Sequence, residues 1–325
     1  MKIVARWAAG LYAATLKIWM WSYSAFPSRK KKINARVVSV GNITWGGTGK
    51  TPLVIRLAQR FSDHGQKVAV LTRGYRGGDE AEEMKRELGN IPVFVGRDRV
   101  RSAEKAVKES GAQVLILDDG FQHIRLKRDM DIVAINSTVP FGPGGLIPQG
   151  TLREPLENLG RADVFVLTQA NIGAKNLLWI RQKLQVVKPG AAIFEVTHQP
   201  ALLIDPATNR KQAPSYLDHR KVATLCAIGD PYSFEKSVER LGAEVPFSAR
   251  FEDHHFFTPA EIEQFVKRAS ELGIKEAVTT EKDNVRLCPV LEKCKGRIGP
   301  FTFWVLKIEA EIHDEEDLIR RCLHP

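Results

Sequence analysis

The chain has 325 residues, enough for one large domain or two ordinary ones, since single cores rarely grow past roughly 250 to 300 residues. Apolar residues make up 43% and charged residues 26%, which fits a globular protein with a sizeable core and is too charged for a chain that crosses a membrane many times. The net charge of +10 suits phosphorylated substrates, anionic lipid or nucleic acid alike.

Residues 1–26 are strongly apolar and carry Trp7, Tyr12, Trp19, Trp21 and Phe26, followed by the basic run Arg29, Lys30, Lys31, Lys32. A spanning helix needs about 20 nearly uninterrupted apolar residues, and Arg6 and Lys17 break this stretch into shorter pieces. At about 100° per residue, Lys2, Arg6, Gly10, Lys17 and Ser24 fall on one narrow stripe and the large apolar residues take the wider face. That pattern predicts an interfacial helix, with the basic run adding attraction to an anionic membrane surface. A secretory signal peptide is the weaker alternative, because Lys17 interrupts the expected apolar region. A helix docked on the protein's own core is the other.

Residues 35–40 (ARVVSV) read as a short β-branched strand leading into a glycine-rich turn and then a helical pattern over 51–61. Strand, loop, helix is the phosphate-binding arrangement. Residues 44–51 (TWGGTGKT) match the G-K-[ST] end of the Walker A pattern at Gly49, Lys50 and Thr51. The first position departs, with Thr44 where glycine is usual and glycines at 46 and 47 instead. Closely spaced glycines still let backbone N–H groups approach phosphate oxygens, and the helix N-terminus favours the anion. Thr44, Trp45, Gly46, Gly47, Thr48, Gly49, Lys50 and Thr51 are therefore the expected nucleotide loop, with Lys50 on the β- and γ-phosphates and the Thr51 hydroxyl available to magnesium.

Further strands are predicted at 67–71, 91–95, 114–117, 131–135 and 164–167, with helical patterns between most of them. Short apolar strands alternating with helices imply a parallel sheet covered on both faces. After residues 91–95 comes GRDR, where Asp98 is either a helix cap or a catalytic group, and Arg97 and Arg99 either hold phosphate or stay solvated. Residues 114–120 (VLILDDG) look like a Walker B strand whose Asp118 and Asp119 leave the carboxyl edge of the sheet. Magnesium takes one or two carboxylates besides phosphate oxygens and water, and Glu154 in LREP is a further candidate ligand. Residues 138–150, with three prolines and four glycines, read as a shaped loop.

A domain boundary is expected over 201–220, which gives a membrane-associating segment at 1–32, a phosphate-loop core at 33–200 and a smaller α/β lobe at 221–325. In that lobe strands are expected at 222–228, 276–280 and 301–309, helices at 233–241 and 259–272, and a final helix from Glu315. The EDHH run at 252–255 offers an imidazole beside an aspartate, either as a general base in phosphoryl transfer or as a structural cap. Cys226, Cys288, Cys294 and Cys322 have no zinc-site spacing and read as reduced thiols of a cytosolic protein.

Taken in order, GGTGKT, TRGY at 72–75, GRDR, LDDGFQH at 117–123, LREP at 152–155, RFEDHH and TTEKD at 279–283 resemble the tetraacyldisaccharide 4′-kinase family of lipid A synthesis. LDDGFQH joined to this phosphate loop is far more specific than either Walker motif. The resemblance implies ATP-dependent phosphorylation of the 4′-hydroxyl of a tetraacylated glucosamine disaccharide 1-phosphate, a lipid A precursor. It implies a magnesium requirement and work at the cytoplasmic face of the inner membrane of a Gram-negative-type bacterium, as a peripheral or monotopic protein. It also implies a P-loop NTPase-like parallel sheet domain with a second, smaller α/β/α domain, the two joined by a short two-stranded linker. Carried over by motif, Asp98 takes the hydroxyl proton with His254 as partner, Lys50 holds phosphate, Asp118 supports, and Thr51, Asp119 and Glu154 lie on the magnesium side. Tyr75, Arg99, Gln122, His123 and Arg153 fall in matching motifs as candidate substrate residues. A monomer is expected. A switch GTPase would need a guanine-reading NKxD, which is absent, and a nucleic-acid-binding ATPase would not place its basic run behind an apolar aromatic helix.

Overall fold

The computed structural model describes residues 2–74, 79–253 and 255–324. The chain forms two units, one of Met1–His198 with Ala310–Pro325 and the other of Gln199–Glu309. In chain order the larger unit holds α1 (Lys2–Ala25), β1 (Arg36–Gly41), α2 (Lys50–Asp63), β2 (Val68–Thr72), α3 (Asp79–Leu88), β3 (Val93–Val95), α4 (Arg99–Ser110), β4 (Val114–Asp118), β5 (Met130–Asn136), β6 (Val164–Thr168) and α5 (Leu177–Val187). Strand β7 (Ala192–Ile204) leads into the smaller unit, which holds β8 (Lys211–Gln212), β9 (Lys221–Cys226), α6 (Pro231–Glu239), β10 (Glu244–Arg250), α7 (Pro259–Glu271), β11 (Glu276–Thr280) and α8 (Glu281–Cys294). Strand β12 (Thr302–Ile312) returns the chain to the larger unit, where α9 (Glu315–Leu323) follows.

In the larger unit the strand order is β7-β6-β5-β1-β4-β2-β3, all parallel. Alternation along the strands decides which helix each residue meets. Val38 and Val40 of β1 join Leu53, Val54, Leu57 and Phe61 of α2 on one face. Val37 joins Val100, Ala103 and Ala106 of α4 on the other. Because both faces are covered, β2, β4 and β6 are continuously buried, as their apolar runs predict, while the edge strand β3 is only half-buried. The direction of strand addition reverses around β1, which has β4 on one side and β5 on the other. Open α/β sheets bind ligands at the carboxyl ends beside such a reversal, and there the glycine-rich loop sits.

The smaller unit repeats the logic with its own parallel order β10-β9-β11-β12. Ala223, Leu225 and Ala277 meet Ile262, Phe265, Val266 and Leu287 on one face, and Phe234 and Val238 of α6 cover the other. Helix α7 starts in a full capping box, in which Thr258 and Glu261 satisfy each other's backbone N–H groups and Pro259 needs none.

Two sequence-based boundaries differ from the structure. The stretch expected as a linker, 201–220, belongs to the smaller unit: Leu203 and Ile204 pair antiparallel with Gln212 and Lys211, and a single helical turn, Pro214–Leu217, follows. The final helix, expected in the second lobe, belongs to the larger unit. Its Leu318, Ile319 and Cys322 complete the core against α2, and Glu315 pairs with Arg56 at 2.6 Å and Arg60 at 2.9 Å. A strand's residue pattern marks it as buried but does not say at which sheet it ends, so the residue pattern alone did not show that β12 makes the return.

Helix α1 runs 24 residues. Its inward stripe is Ala9, Tyr12, Ala13, Leu16, Met20 and Tyr23, a spacing of three and four, while Leu11, Ile18 and Trp21 are exposed at 69%, 67% and 64%. One side of the helix is thus docked on the protein, as the second alternative expected, and the opposite side leaves large apolar residues exposed. Of the expected polar stripe, Gly10 and Lys17 are exposed, and the side chains of Lys2, Arg6 and Ser24 lie outside the described residues. Among the described residues, no helix is long and apolar enough to cross a membrane.

Candidate functional site

The phosphate-type loop leaves β1 and is shaped by two residues in the left-handed region, Gly46 at φ 114° and Gly49 at φ 70°, the latter ending directly at the first turn of α2. Only glycine adopts these angles without cost. The rest of the loop is tied down by its neighbours. Asn136 at the end of β5 donates to the Gly47 carbonyl at 3.2 Å, Thr168 at the end of β6 donates to the Thr48 carbonyl at 2.8 Å, and Asn42 donates to the Thr44 carbonyl at 2.8 Å. With three carbonyls bound from behind, the loop's shape is fixed.

On the loop's entry side, Thr44 bridges antiparallel to Leu152, the Trp45 N–H donates to the Thr151 carbonyl at 2.7 Å, and the Arg153 N–H donates to the Ile43 carbonyl at 2.8 Å. This brings LREP alongside TWGG. The Arg153 guanidinium then donates to both Asp119 oxygens, at 2.8 and 2.9 Å, and lies 5.7 Å from the Trp45 ring centre. Lys50 Nζ lies 3.7 Å from Asp119 and 3.3 Å from the Thr48 hydroxyl. Lys50, Asp119 and Arg153 therefore form one cluster, with side chains only 11% to 18% exposed.

The two aspartates of LDDG are turned apart by the backbone. Asp118 closes β4, is buried, and accepts from the Thr72 hydroxyl at 3.0 Å. Asp119 sits at φ 51°, a costly angle for a residue with a side chain, and so leaves the strand's alternation to face Lys50. Gly120 must stay small, because a Cβ there would lie 2.6 Å from Ser39 Oγ.

Asp98 caps α4, accepting from the Val100 and Arg101 N–H groups at 3.0 and 3.3 Å. Its other oxygen lies 3.4 Å from Arg125 and 3.8 Å from Arg101. Burial works to raise its pKa, but the helix N–H groups with Arg125 and Arg101 outweigh it and hold the carboxyl below its usual range. The sequence left cap and catalytic group as alternatives; the cap is present, and the carboxylate is still one-third exposed at 34%.

Several candidates are committed elsewhere. Arg99 is buried, with its guanidinium on the carbonyls of Gly96 and Asp118, where it joins the Asp98 loop to the end of β4. Both Glu154 oxygens are taken by protein donors: Gln122 at 3.0 Å on one, Asn158 and Arg161 at 2.8 Å on the other. Glu154 is thus joined to Gln122, which also receives Arg153 at 3.4 Å, and is not brought to Lys50 and Asp119. His123 has a buried Nε2 with no hydrogen-bond partner, and burial, followed by the charges of Arg99 and Arg128, drives its pKa down to about 4 against a weaker opposing pull from Asp98. It is a neutral imidazole near Asp98. Thr51 stands in the first turn of α2. Tyr75 and His254 lie outside the described residues.

His255 has a defined structural place in the smaller unit. Its Nε2 lies 3.1 and 3.2 Å from the Glu261 oxygens, and its ring stacks on Phe251 with centres 4.7 Å apart. Asp253, on the other side of position 254, lies 3.3 Å from Lys282 of TTEKD. Sequence reasoning missed Asn136 and Thr168. Their only signal was position, a short polar residue directly after a buried strand on the loop's side of the sheet.

Comparison with known proteins gives a consistent result. A family model described as tetraacyldisaccharide-1-P 4′-kinase matches residues 1–78 and 76–324. A protein named tetraacyldisaccharide 4′-kinase from Halothermothrix orenii is 38% identical over 288 residues, covering 78% of this chain and 75% of that one. One of the same name from Anaeromyxobacter dehalogenans strain 2CP-C is 35% identical over 332 residues, covering 96% and 86%. The crystal structure of an "apo" form of LpxK from Aquifex aeolicus in complex with ATP superposes with a TM-score of 0.71 at 27% identity, covering 97% of this chain and 96% of that one.

Proposed function

Because the chain belongs to the tetraacyldisaccharide-1-P 4′-kinase family and is thereby a kinase of lipid A synthesis, we propose that it transfers the γ-phosphate of ATP to the 4′-hydroxyl of a tetraacylated glucosamine disaccharide 1-phosphate. The observation that carries this reading is the cluster of Lys50, Asp119 and Arg153 beside a glycine loop held from behind, on the same sheet edge as Asp98. In the proposed assignment, backbone N–H groups of residues 46–50 receive the phosphates, and Lys50 neutralises charge on the β- and γ-groups. Arg153 fixes the direction in which Asp119 points.

Magnesium fits these residues, because one carboxylate and one hydroxyl suit an ion that arrives with nucleotide phosphates and keeps its waters. Asp119 and Thr51 would hold it, and when bound it would neutralise charge on the transferring phosphoryl group. Glu154 is assigned to the scaffold of Gln122, Asn158 and Arg161.

Asp98 is assigned as the acceptor of the hydroxyl proton, with His254 as partner. Its low pKa keeps it ionised at neutral pH but makes it a weak base. Phosphoryl transfer through a loose transition state asks little more of such a group than to orient the hydroxyl and take the proton late. The exposed apolar face of α1 and the basic run after it are assigned to the anionic surface of the inner membrane's cytoplasmic face, where a lipid acceptor resides. No nucleic acid has a part in this scheme, and one chain suffices.

The test is transfer of labelled γ-phosphate from ATP to the purified disaccharide acceptor in detergent micelles, with GTP in parallel. Labelled lipid formed preferentially from ATP is the expected outcome. Nucleotide hydrolysis with no labelled lipid would overturn the assignment and return the chain to the class of switch NTPases.

A further inference from the structure

We propose that Tyr12 is a positioning residue, through which α1 holds Arg153, and Arg153 in turn holds Asp119 and Lys50, in working geometry. The proposal rests on the reading of that cluster as the phosphate side of the site. The Tyr12 hydroxyl donates to the Arg153 carbonyl at 2.9 Å, across 141 residues of sequence. Burial, then the charge of Glu154, raises the Tyr12 pKa, with Arg153 opposing, so the phenol stays a donor throughout the neutral range. The residue it holds links the glycine loop to the cluster. The Arg153 N–H bonds to Ile43 at the entry of the glycine loop, its guanidinium grips both Asp119 oxygens, and Asp119 lies 3.7 Å from Lys50.

A second contact of the same helix face reaches the neighbouring carboxylate. Met20 sulfur receives Asn158 Nδ2 at 3.2 Å and lies 3.6 Å from Arg161 Nη1, and these are two of the three side chains that hold Glu154. Tyr12 and Met20 are eight positions apart, so both project from one face of α1. The opposite face presents Leu11, Ile18 and Trp21 to the surroundings. One helix therefore meets the phosphate-side scaffold with one face and offers an apolar surface with the other. Whatever displaces α1 moves the backbone carbonyl on which Arg153 is hung.

The test is Tyr12→Phe in the full chain, alone and combined with Arg153→Met, followed by ATP hydrolysis and by transfer to the disaccharide acceptor. Tyr12→Phe is expected to lower kcat about fivefold, the scale of one lost hydrogen bond, with KM for ATP within about twofold of wild type. In the Arg153→Met background it is expected to add less than about twofold, because the path it acts through is gone. Wild-type kcat in Tyr12→Phe, or losses that multiply in the double variant, would overturn the proposal. Failure of the acceptor reading is separately visible, as ATP hydrolysis without labelled lipid in the wild type, and the Tyr12 comparison can still be read on hydrolysis.

Discussion

Asp98 carries two duties on one carboxylate, since one oxygen caps α4 through Val100 and Arg101 and the other faces Arg125. Alanine would remove both duties, and lost stability would then be confused with lost chemistry. Asparagine caps as well as aspartate does but accepts no proton at neutral pH. Asp98→Asn is therefore expected to hold its melting temperature near that of wild type and to lose about 100-fold or more in turnover. Wild-type turnover in that variant would remove Asp98 from the proposed chemistry. His123 makes a different prediction, about pH. Its pKa is near 4 in the folded chain against 6.5 unfolded, so as pH falls through that window the unfolded chain takes up the proton first and the folded state loses stability. Replacing it by Gln should flatten the fall in melting temperature between those two values, as read by calorimetry. An unchanged slope would mean that other groups dominate acid unfolding. At this scale the sequence was legible where two motifs bring their residues together, as in Lys50 and Asp119, and illegible where geometry decides. Nothing in LREP says that Arg153 takes Asp119 while Glu154 goes to Arg161; the antiparallel bridge between Thr44 and Leu152 decides that.

Among the elements, α1 presents two different faces. Its sequence pattern fitted both an interfacial helix and a docked one, because a face with Tyr12, Leu16 and Met20 satisfies either, and the structure assigns that face to the protein. The proposed bilayer contact would therefore use the exposed arc with Leu11, Ile18 and Trp21. Charge placed on that arc is expected to weaken adsorption, since burying an ionised carboxylate among acyl chains is unfavourable. Ile18→Glu should reduce co-sedimentation with anionic vesicles severalfold, and full retention would show that the arc is not the contact. The basic run is a weaker guide by itself. Lys31 is bridged to Leu126 through its backbone, so part of the run belongs to the fold. The alternating strands and helices were the most legible part, because strands buried on both faces are continuous apolar runs and cannot be mistaken for surface helices.

For the whole molecule, two α/β units were expected from length and from two series of short strands, and a two-stranded linker from the resemblance, but which strands form that linker was not legible. Two strands carry the chain across, β7 outward and β12 back; β12 was expected as a strand over 301–309, whereas β7 was not read as a strand at all. Helix α9 is the consequence, and its place beside α2 bears on how the protein is made. The core face that α2 offers with Leu53, Leu57 and Phe61 is closed partly by Leu318 and Ile319. Arg56 and Arg60 meet Glu315 only after more than 250 intervening residues have been polymerised. On the ribosome the smaller unit, Gln199–Glu309, emerges whole before α9 does. The usual order of domain folding, amino-terminal first, is therefore expected to be inverted for part of this chain, with the phosphate-loop unit beginning first and closing its core last.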